Sequence, residues 1–415
     1  MSTSPVLAAQ PAAARGAPRR LIDLPDFRRL WLIGLVVFAV RWLEMLVVGV
    51  FVYQRTGSAF EVAMMTLLRM APMVMFGPVI GAVAERFERR NAQILVGVTL
   101  LLSAISVAAL AYAGVLEVWH LAVASFANGV AWAADNPVRR VMIGEVVGAE
   151  RMGSAMAIDV GANNASRMLG PTVGGLMLAH IGIAGAFSVS VVCYALALIA
   201  ALRIQHRNTV IPAKSGAVLT HIVEGLLLAR RDPRLVAVLT VTVVYNVFGW
   251  PFTSMIPVIG QDSLHLAPGG IGILASMDGI GAFLGAIAIA LWVRQPHFNR
   301  LYISAVLSYL VLVIGFALAP APEFAGAALL STGLANSGFS VMQATLVYLA
   351  APAEMRSRLY GVLSLCIGSG LVGFFHLGIM ADLIGAPKAT VLSACEGLLV
   401  LAVTWRWWRL LLRRG

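Results

Sequence analysis

The chain is 415 residues long, 60% of them hydrophobic and 12% charged, where soluble domains run nearer a quarter charged. Its formal charge of +11 and pI near 10.3 do not point to nucleic acid as a partner, because the basic residues lie scattered in the short connections between apolar runs and not on one soluble face. Runs of about 20 apolar residues recur from end to end, each long enough to cross about 30 Å of hydrocarbon. The composition therefore excludes a soluble domain and describes an all-α, polytopic membrane protein.

In chain order, residues 1–29 are rich in Ala, Pro and Arg and are expected to form an unstructured cytoplasmic tail. They do not read as a signal peptide, because the first apolar run is too long and lacks a small-residue cleavage site. The apolar runs predict twelve spans at 30–53, 61–84, 92–114, 119–137, 154–180, 185–203, 234–259, 271–293, 301–320, 323–349, 359–383 and 388–408. The longest interior connection, 204–233, divides them into an N-terminal lobe (30–203) and a C-terminal lobe (234–408), with a short cytoplasmic tail at 409–415. Within that connection THIVEGLLLARR is expected to lie on the cytoplasmic membrane surface as an amphipathic helix. With the N-terminus inside, the cytoplasmic segments hold 25 of the 30 Lys and Arg residues, and the outside loops only Arg55 and Lys388. That asymmetry predicts both termini in the cytoplasm. The remaining three, Arg41, Arg69 and Arg167, lie inside spans.

Span one sets Arg41 and Glu44 three residues apart near mid-membrane, within reach of each other. Glu44 is the first candidate proton carrier. A substrate that competes for Arg41 would change the proton affinity of Glu44, a physical route to coupling; a permanent structural pair is the alternative. Arg69 in span two is expected to be structural. The elbow GAVAERFERR (81–90) offers Glu85 to nearby arginines and to a helix N-terminus. Span four carries Asn128, Trp132 and Asp135 on one face, with Asp135 beside Asn136, Pro137, Arg139 and Arg140 near the inner end, where a gate role fits best.

Span five contains DVGANNASRMLGPTVGG (159–175), which spaces Asp159, Asn163, Arg167, Gly170 and Gly174 along one helical face. Its glycines let a neighbouring helix approach closely, and Pro171 removes a backbone donor. Charges at this depth are paired, cavity-facing or functional. Arg167 is open between structural pairing and substrate or coupling work, and Asp159 between a gate salt bridge and a proton site. Span seven carries Asn246 and Trp250 before Pro251, and span ten carries Asn336, Ser340 and Gln343. These stripes can line a cavity or bond between helices; Trp adds a flat apolar surface with one donor. Asp278 in the Gly-rich span eight has no local counter-charge, so it either carries a proton or pairs across the bundle with Arg41 or Arg167. Asp382, near the outer end of span eleven, belongs to an outer gate. Gly170, Gly175 and Gly182 recur at a fixed offset as Gly373, Gly378 and Gly385, which suggests that spans five and eleven are equivalents in two repeats.

GAVAERFERR resembles the major facilitator superfamily signature G-x-x-x-D-R-x-G-R-R between spans two and three. Gly81, Arg86, Arg89 and Arg90 match; Glu85 replaces Asp, and Glu88 stands where Gly is usual. TGSAFEVAMMTLLRMAPMVMFGPVIGAVAERFERR, DNPVRRVMIGEVV, ASRMLGPTVGG and PAEMRSRLYG extend the likeness over most of the chain, towards the branch of enterobactin-exporter-like proteins and drug and macrolide exporters. The resemblance implies twelve transmembrane helices in two six-helix pseudo-repeats, with a cavity lined by spans one, four, seven and ten. Asn128, Trp132, Asn246, Trp250, Asn336 and Gln343 would then be cavity residues. Gly81, Glu85, Arg86, Arg89 and Arg90, with Asp135 and Arg139, would latch the inner side. Gly170, Pro171, Gly174 and Gly175 match the exporters' antiport-associated G-x-x-x-G-P-x-x-G-G, with Ser166 in place of the first glycine. Asp159 departs from the branch, where a neutral residue is expected.

The phosphate loop G-x-x-x-x-G-K-[ST] is missing, so ATP is not the expected energy source. H-E-x-x-H and G-x-S-x-G are missing too, and the seven histidines show no metal-ligand spacing. Cys193, Cys366 and Cys395 fall in spans and are expected to be free thiols. No cofactor or metal is expected; the partners are a small-molecule substrate, protons and membrane lipid, and the chain is expected to be a monomer. Together these readings describe an exporter of siderophore- or drug-like amphipathic molecules across a bacterial inner membrane, driven by proton antiport with alternating access. A lipid or lysolipid transporter of the same fold is the alternative, and a membrane-embedded sensor or enzyme is the rival class.

Overall fold

A computed structural model describes residues 20–86, 88–207, 226–227, 229–351 and 355–412, with the backbone alone at 77–86, 149 and 356–358. The described residues form helices and turns, and no strand. Hydrocarbon offers a backbone no hydrogen-bond partners, so a chain this apolar closes its bonds within each segment.

The first half consists of α1 (Pro25–Thr56), α2 (Ala59–Arg86), α3 (Arg89–Tyr112), α4 (Val118–Val147) and α5 (Met152–Leu202). α1 begins at Pro25, inside the segment expected to be tail, because proline suits the first helical turn. It ends at Gly57, whose φ of 67° turns its N–H back to the Tyr53 carbonyl. α5 runs for 51 residues, about 75 Å if straight, far more than one crossing needs. Gly182, at φ 66° and ψ −176°, breaks it where spans five and six were separated in the sequence.

The second half begins with α6 (Pro233–Val244), which passes through a π-helical turn (Tyr245–Gly249) and a 3-10 segment (Trp250–Met255) into α7 (Ile256–Asp262). Pro251 and Pro257 withhold backbone donors along this irregular span. Then follow α8 (Pro268–Trp292), α9 (Phe298–Ala317), α10 (Pro322–Ala350), α11 (Arg356–Gly368), α12 (Gly370–Ile384), α13 (Ala386–Val403) and α14 (Trp405–Leu412). α11 and α12 share span eleven, broken at Ser369.

Among the described residues nine helical segments are long and apolar enough to cross a bilayer, with α5 counted once. α4 and α10, of 30 and 29 residues, carry more polar side chains and are not among the nine. The amphipathic helix expected within 204–233 falls largely outside the described residues.

α1 packs on α5, α2 on α4, and α8 and α9 on α10; α5 meets α8 and α2 meets α12 between the halves. The recurring glycines have matching surroundings. Gly170 faces α1, whereas Gly373 faces the π-helical turn of span seven. Gly175 faces α8, whereas Gly378 faces α2. Gly182 and Gly385 both have positive φ. Spans one and seven, and spans two and eight, thus exchange places between the halves.

Candidate functional site

The halves meet around a cavity. α1, α2 and α5 form one wall; the 3-10 segment, α7 and α8 form the other. Met45, Leu46, Val62, Ile256 and Pro257 make it apolar, Trp42 and Trp250 give it flat surfaces, and Arg41, Arg69, Arg167 and Asp278 bring charge.

Arg167 reaches from α5 across the seam and forms a close ion pair with Asp278 of α8. Glycines allow the approach: Gly175 lies against Gly272, and Gly279 lies against the backbone of Arg167 and Met168. With the Asn336 amide oriented to satisfy all its neighbours, its oxygen accepts from both terminal nitrogens of Arg167 at 2.8 Å. Its nitrogen then donates to Tyr245 at 2.8 Å and to Ser340 at 3.0 Å. One guanidinium of the first half is therefore held by α8 and α10 of the second.

The Arg41–Glu44 pair expected from sequence does not form. Glu44, 1% exposed, accepts from Arg69 at 3.0 Å and from Asn128 at 3.2 Å, both on Oε2. Helical side chains lean towards the N-terminus, so the long Arg41 side chain runs away from residue 44. Its guanidinium stacks on the Trp132 ring, 3.6 Å from the centroid. Arg69, read as structural, takes the part given to Arg41.

Of the six residues expected to line the cavity, Trp250 does so. Asn128 turns to Glu44, Trp132 lies under Arg41, and Asn336 holds Arg167. Asn246 donates to the Thr242 carbonyl at 2.8 Å, and Gln343 donates to the Thr242 hydroxyl at 3.1 Å. Spans two, five and eight supply wall where spans four and ten were expected. In an apolar bundle these amides gain more by bonding to neighbouring polar groups than by facing open space.

A second cluster lies wholly in the first half. Arg139, fully buried, sits between Asp135 and Asp159. Its Nε donates to Asp135 at 3.2 Å, and it pairs closely with Asp159. Gln93 donates to Asp135 at 2.7 Å, Arg140 stands 3.6 Å from Asp159, and the Phe38 ring covers the Arg139 guanidinium at 4.9 Å. Asp159 is thus half of an internal salt bridge, away from the cavity lining. Arg89 pairs with Glu145, and Arg90 donates to the Leu202 carbonyl at 2.7 Å, both again within the first half. The side chains of Gly81, Glu85 and Arg86, on which the expected inner latch also depends, fall outside the described residues.

At the end that the arginine distribution assigns to the outside, the halves are joined. Tyr53 donates closely to Asp262. Asp382 accepts from the Ser58 hydroxyl and from the Phe60 amide, each at 2.9 Å. A carboxylate of α12 thereby satisfies the first turn of α2, where the helix dipole favours it. Sequence reasoning found Asp382 but missed Tyr53 and Asp262; polar residues at span ends look like ordinary loop edges until the opposing half is known.

The sequence profile of the Major Facilitator Superfamily matches residues 30–375. Over 384 residues the chain is 26% identical to the uncharacterized MFS-type transporter YfiS of Bacillus subtilis (strain 168), covering 88% of each. Over 390 residues it is 26% identical to the multidrug efflux pump Tap of Mycolicibacterium fortuitum, covering 89% of this chain and 90% of Tap. Macrolide efflux protein A of Streptococcus pyogenes is 23% identical over 243 residues, covering 58% of this chain and 60% of that one. Among solved structures, the nucleoside transporter NupG has a TM-score of 0.75 at 10% identity, covering 94% of this chain and 100% of NupG. A bacterial homolog of the human lysosomal transporter Spinster has a TM-score of 0.72 at 15% identity, covering 96% and 99%. These likenesses show a shared fold. With paired helical halves around a charged cavity and a profile that spans most of its length, the chain belongs to the Major Facilitator Superfamily.

Proposed function

We propose that the chain exports small amphipathic molecules, drug-like or siderophore-like, from the cytoplasm by proton antiport with alternating access. The cavity between the halves is the cargo chamber. The observation that carries this reading is the Arg167–Asp278 pair, set in the chamber wall and joining the halves. Rocking one half against the other shears α5 along α8 and strains this pair. A proton on Asp278 lets Arg167 go without leaving a bare carboxylate at bilayer depth. Glu44, on the wall helix α1 and bonded to the lining residue Arg69, is the second proton candidate. Tyr53–Asp262 and Ser58–Asp382 act as the outer seal, and the Arg139 cluster keeps the first half rigid as it moves. The relatives named for macrolide and multidrug efflux support export as the direction. The protein works as a monomer in a bacterial inner membrane, with both termini in the cytoplasm and without a cofactor.

Expression in a bacterium stripped of its own efflux pumps should raise the macrolide concentration that the cells tolerate. Asp278→Asn, matched for the amount of protein in the membrane, should remove the gain. Tolerance unchanged by the wild-type protein, or fully retained by Asp278→Asn, contradicts the proposal.

A further inference from the structure

The charges around the cavity do not balance. Arg69 is matched by Glu44 at 3.0 Å, and Arg167 is matched by Asp278. Arg41 lines the same wall, and among the described residues no carboxylate lies within ion-pair distance of it. Its Nε has no hydrogen-bond partner, and neither has the indole Nε1 of Trp132 beneath it. Unpaired acceptors also occur nearby, at Glu44 Oε1 and Asp278 Oδ1. Each belongs to a carboxylate that already holds a guanidinium, so the charge left over is that of Arg41.

The side chain is also fixed in place. Its guanidinium lies 3.6 Å from the centroid of Trp132 and 5.6 Å from that of Trp42. Stacking uses the faces of the guanidinium and leaves its in-plane donors free, the arrangement that accepts a carboxylate through two parallel hydrogen bonds. An unmatched cation at bilayer depth is costly to keep and points to an occupant that supplies the missing charge. Opposite, Trp250, Ile256 and Pro257 offer an apolar wall.

We infer that the cavity takes organic anions: a carboxylate head on Arg41 and a planar apolar body against the Trp250 wall. This rests on the cavity being the cargo chamber, and it adds to the cargo one charge class that the chamber receives.

The test is binding to the purified full chain in nonionic detergent, by calorimetry, with 1-naphthylacetate and 1-naphthylacetamide. The two probes share a body and differ in charge. The wild-type protein should bind the carboxylate roughly tenfold tighter than the amide. Arg41→Gln and Arg41→Met should bring that ratio close to one while the amide binds as before, which also shows that the cavity has folded. Equal binding of both probes to the wild type, no binding of the carboxylate, or a preference that survives either folded variant overturns the inference. No step needs transport. A wild-type protein that exports but shows no anion preference would refute this inference alone, and one that prefers the anion but does not export would refute the export reading alone.

Discussion

Arg69 and Glu44 each remove the other's exposure to hydrocarbon. Taking away one partner of a buried pair leaves an uncompensated charge, an effect of about 3–5 kcal/mol. Arg69→Met should therefore lower the unfolding temperature of the purified protein sharply. Adding Glu44→Gln to it should recover most of the loss, since Asn128 can still bond a neutral amide. A double variant no more stable than Arg69→Met would mean that the pair does not govern this site. These partners also mark the limit of sequence reading. Intramembrane charges are visible as interruptions of apolar runs, so Arg41, Glu44, Arg167 and Asp278 stood out. Which of them meet depends on helix rotation and on side-chain lean. The Arg167–Asp278 pair was among the readable options because Asp278 had no local counter-charge. The Glu44–Arg69 pair was not, because a nearer arginine sat on the same helix.

Two glycines of α5 separate two kinds of constraint. Gly182 has open space where a β carbon would go, and a φ of 66°. Gly182→Ala should cost about 1–3 kcal/mol through backbone conformation alone, because φ 66° with ψ −176° is a region held by glycine. Gly174 has room for nothing: a β carbon there would stand 2.8 Å from the Leu43 carbonyl oxygen of α1. Gly174→Leu should destabilise by about 1–3 kcal/mol or more by forcing the helices apart. Thermal unfolding of the two variants side by side checks both, and either variant as stable as the wild type would contradict the constraint assigned to it. The elements themselves were mostly legible, because apolar run length fixes spans and glycine with proline fixes their ends. The irregular course of span seven was not. Pro251 flagged a disturbance, but a π-helical turn followed by a 3-10 segment is chosen by packing around Tyr245 and Trp250.

At the largest scale, two halves share a charged chamber and are joined beside it by Tyr53–Asp262 and by Asp382. Asp382 couples α12 to the start of α2 through two hydrogen bonds. Asp382→Ala should loosen that seal and favour opening on the outer side. A cysteine placed at Thr66, which lines the chamber, in a background without the three native cysteines, should then react faster with a membrane-impermeant thiol reagent added outside. An unchanged labelling rate would remove Asp382 from the seal. The helical halves were readable from composition and repeats. The chamber wall was only partly so, because amides that look cavity-facing on a helical wheel are consumed by neighbours.

Macrolide uptake into inside-out membrane vesicles with an acidified lumen bears on all of this at once. Labelled macrolide should accumulate in the lumen, collapse to the equilibrium level when a protonophore dissipates the gradient, and fail to accumulate in Asp278→Asn vesicles that still bind it. Accumulation that persists without the gradient, or its absence in wild-type vesicles that bind the macrolide, would contradict proton-driven export through this chamber.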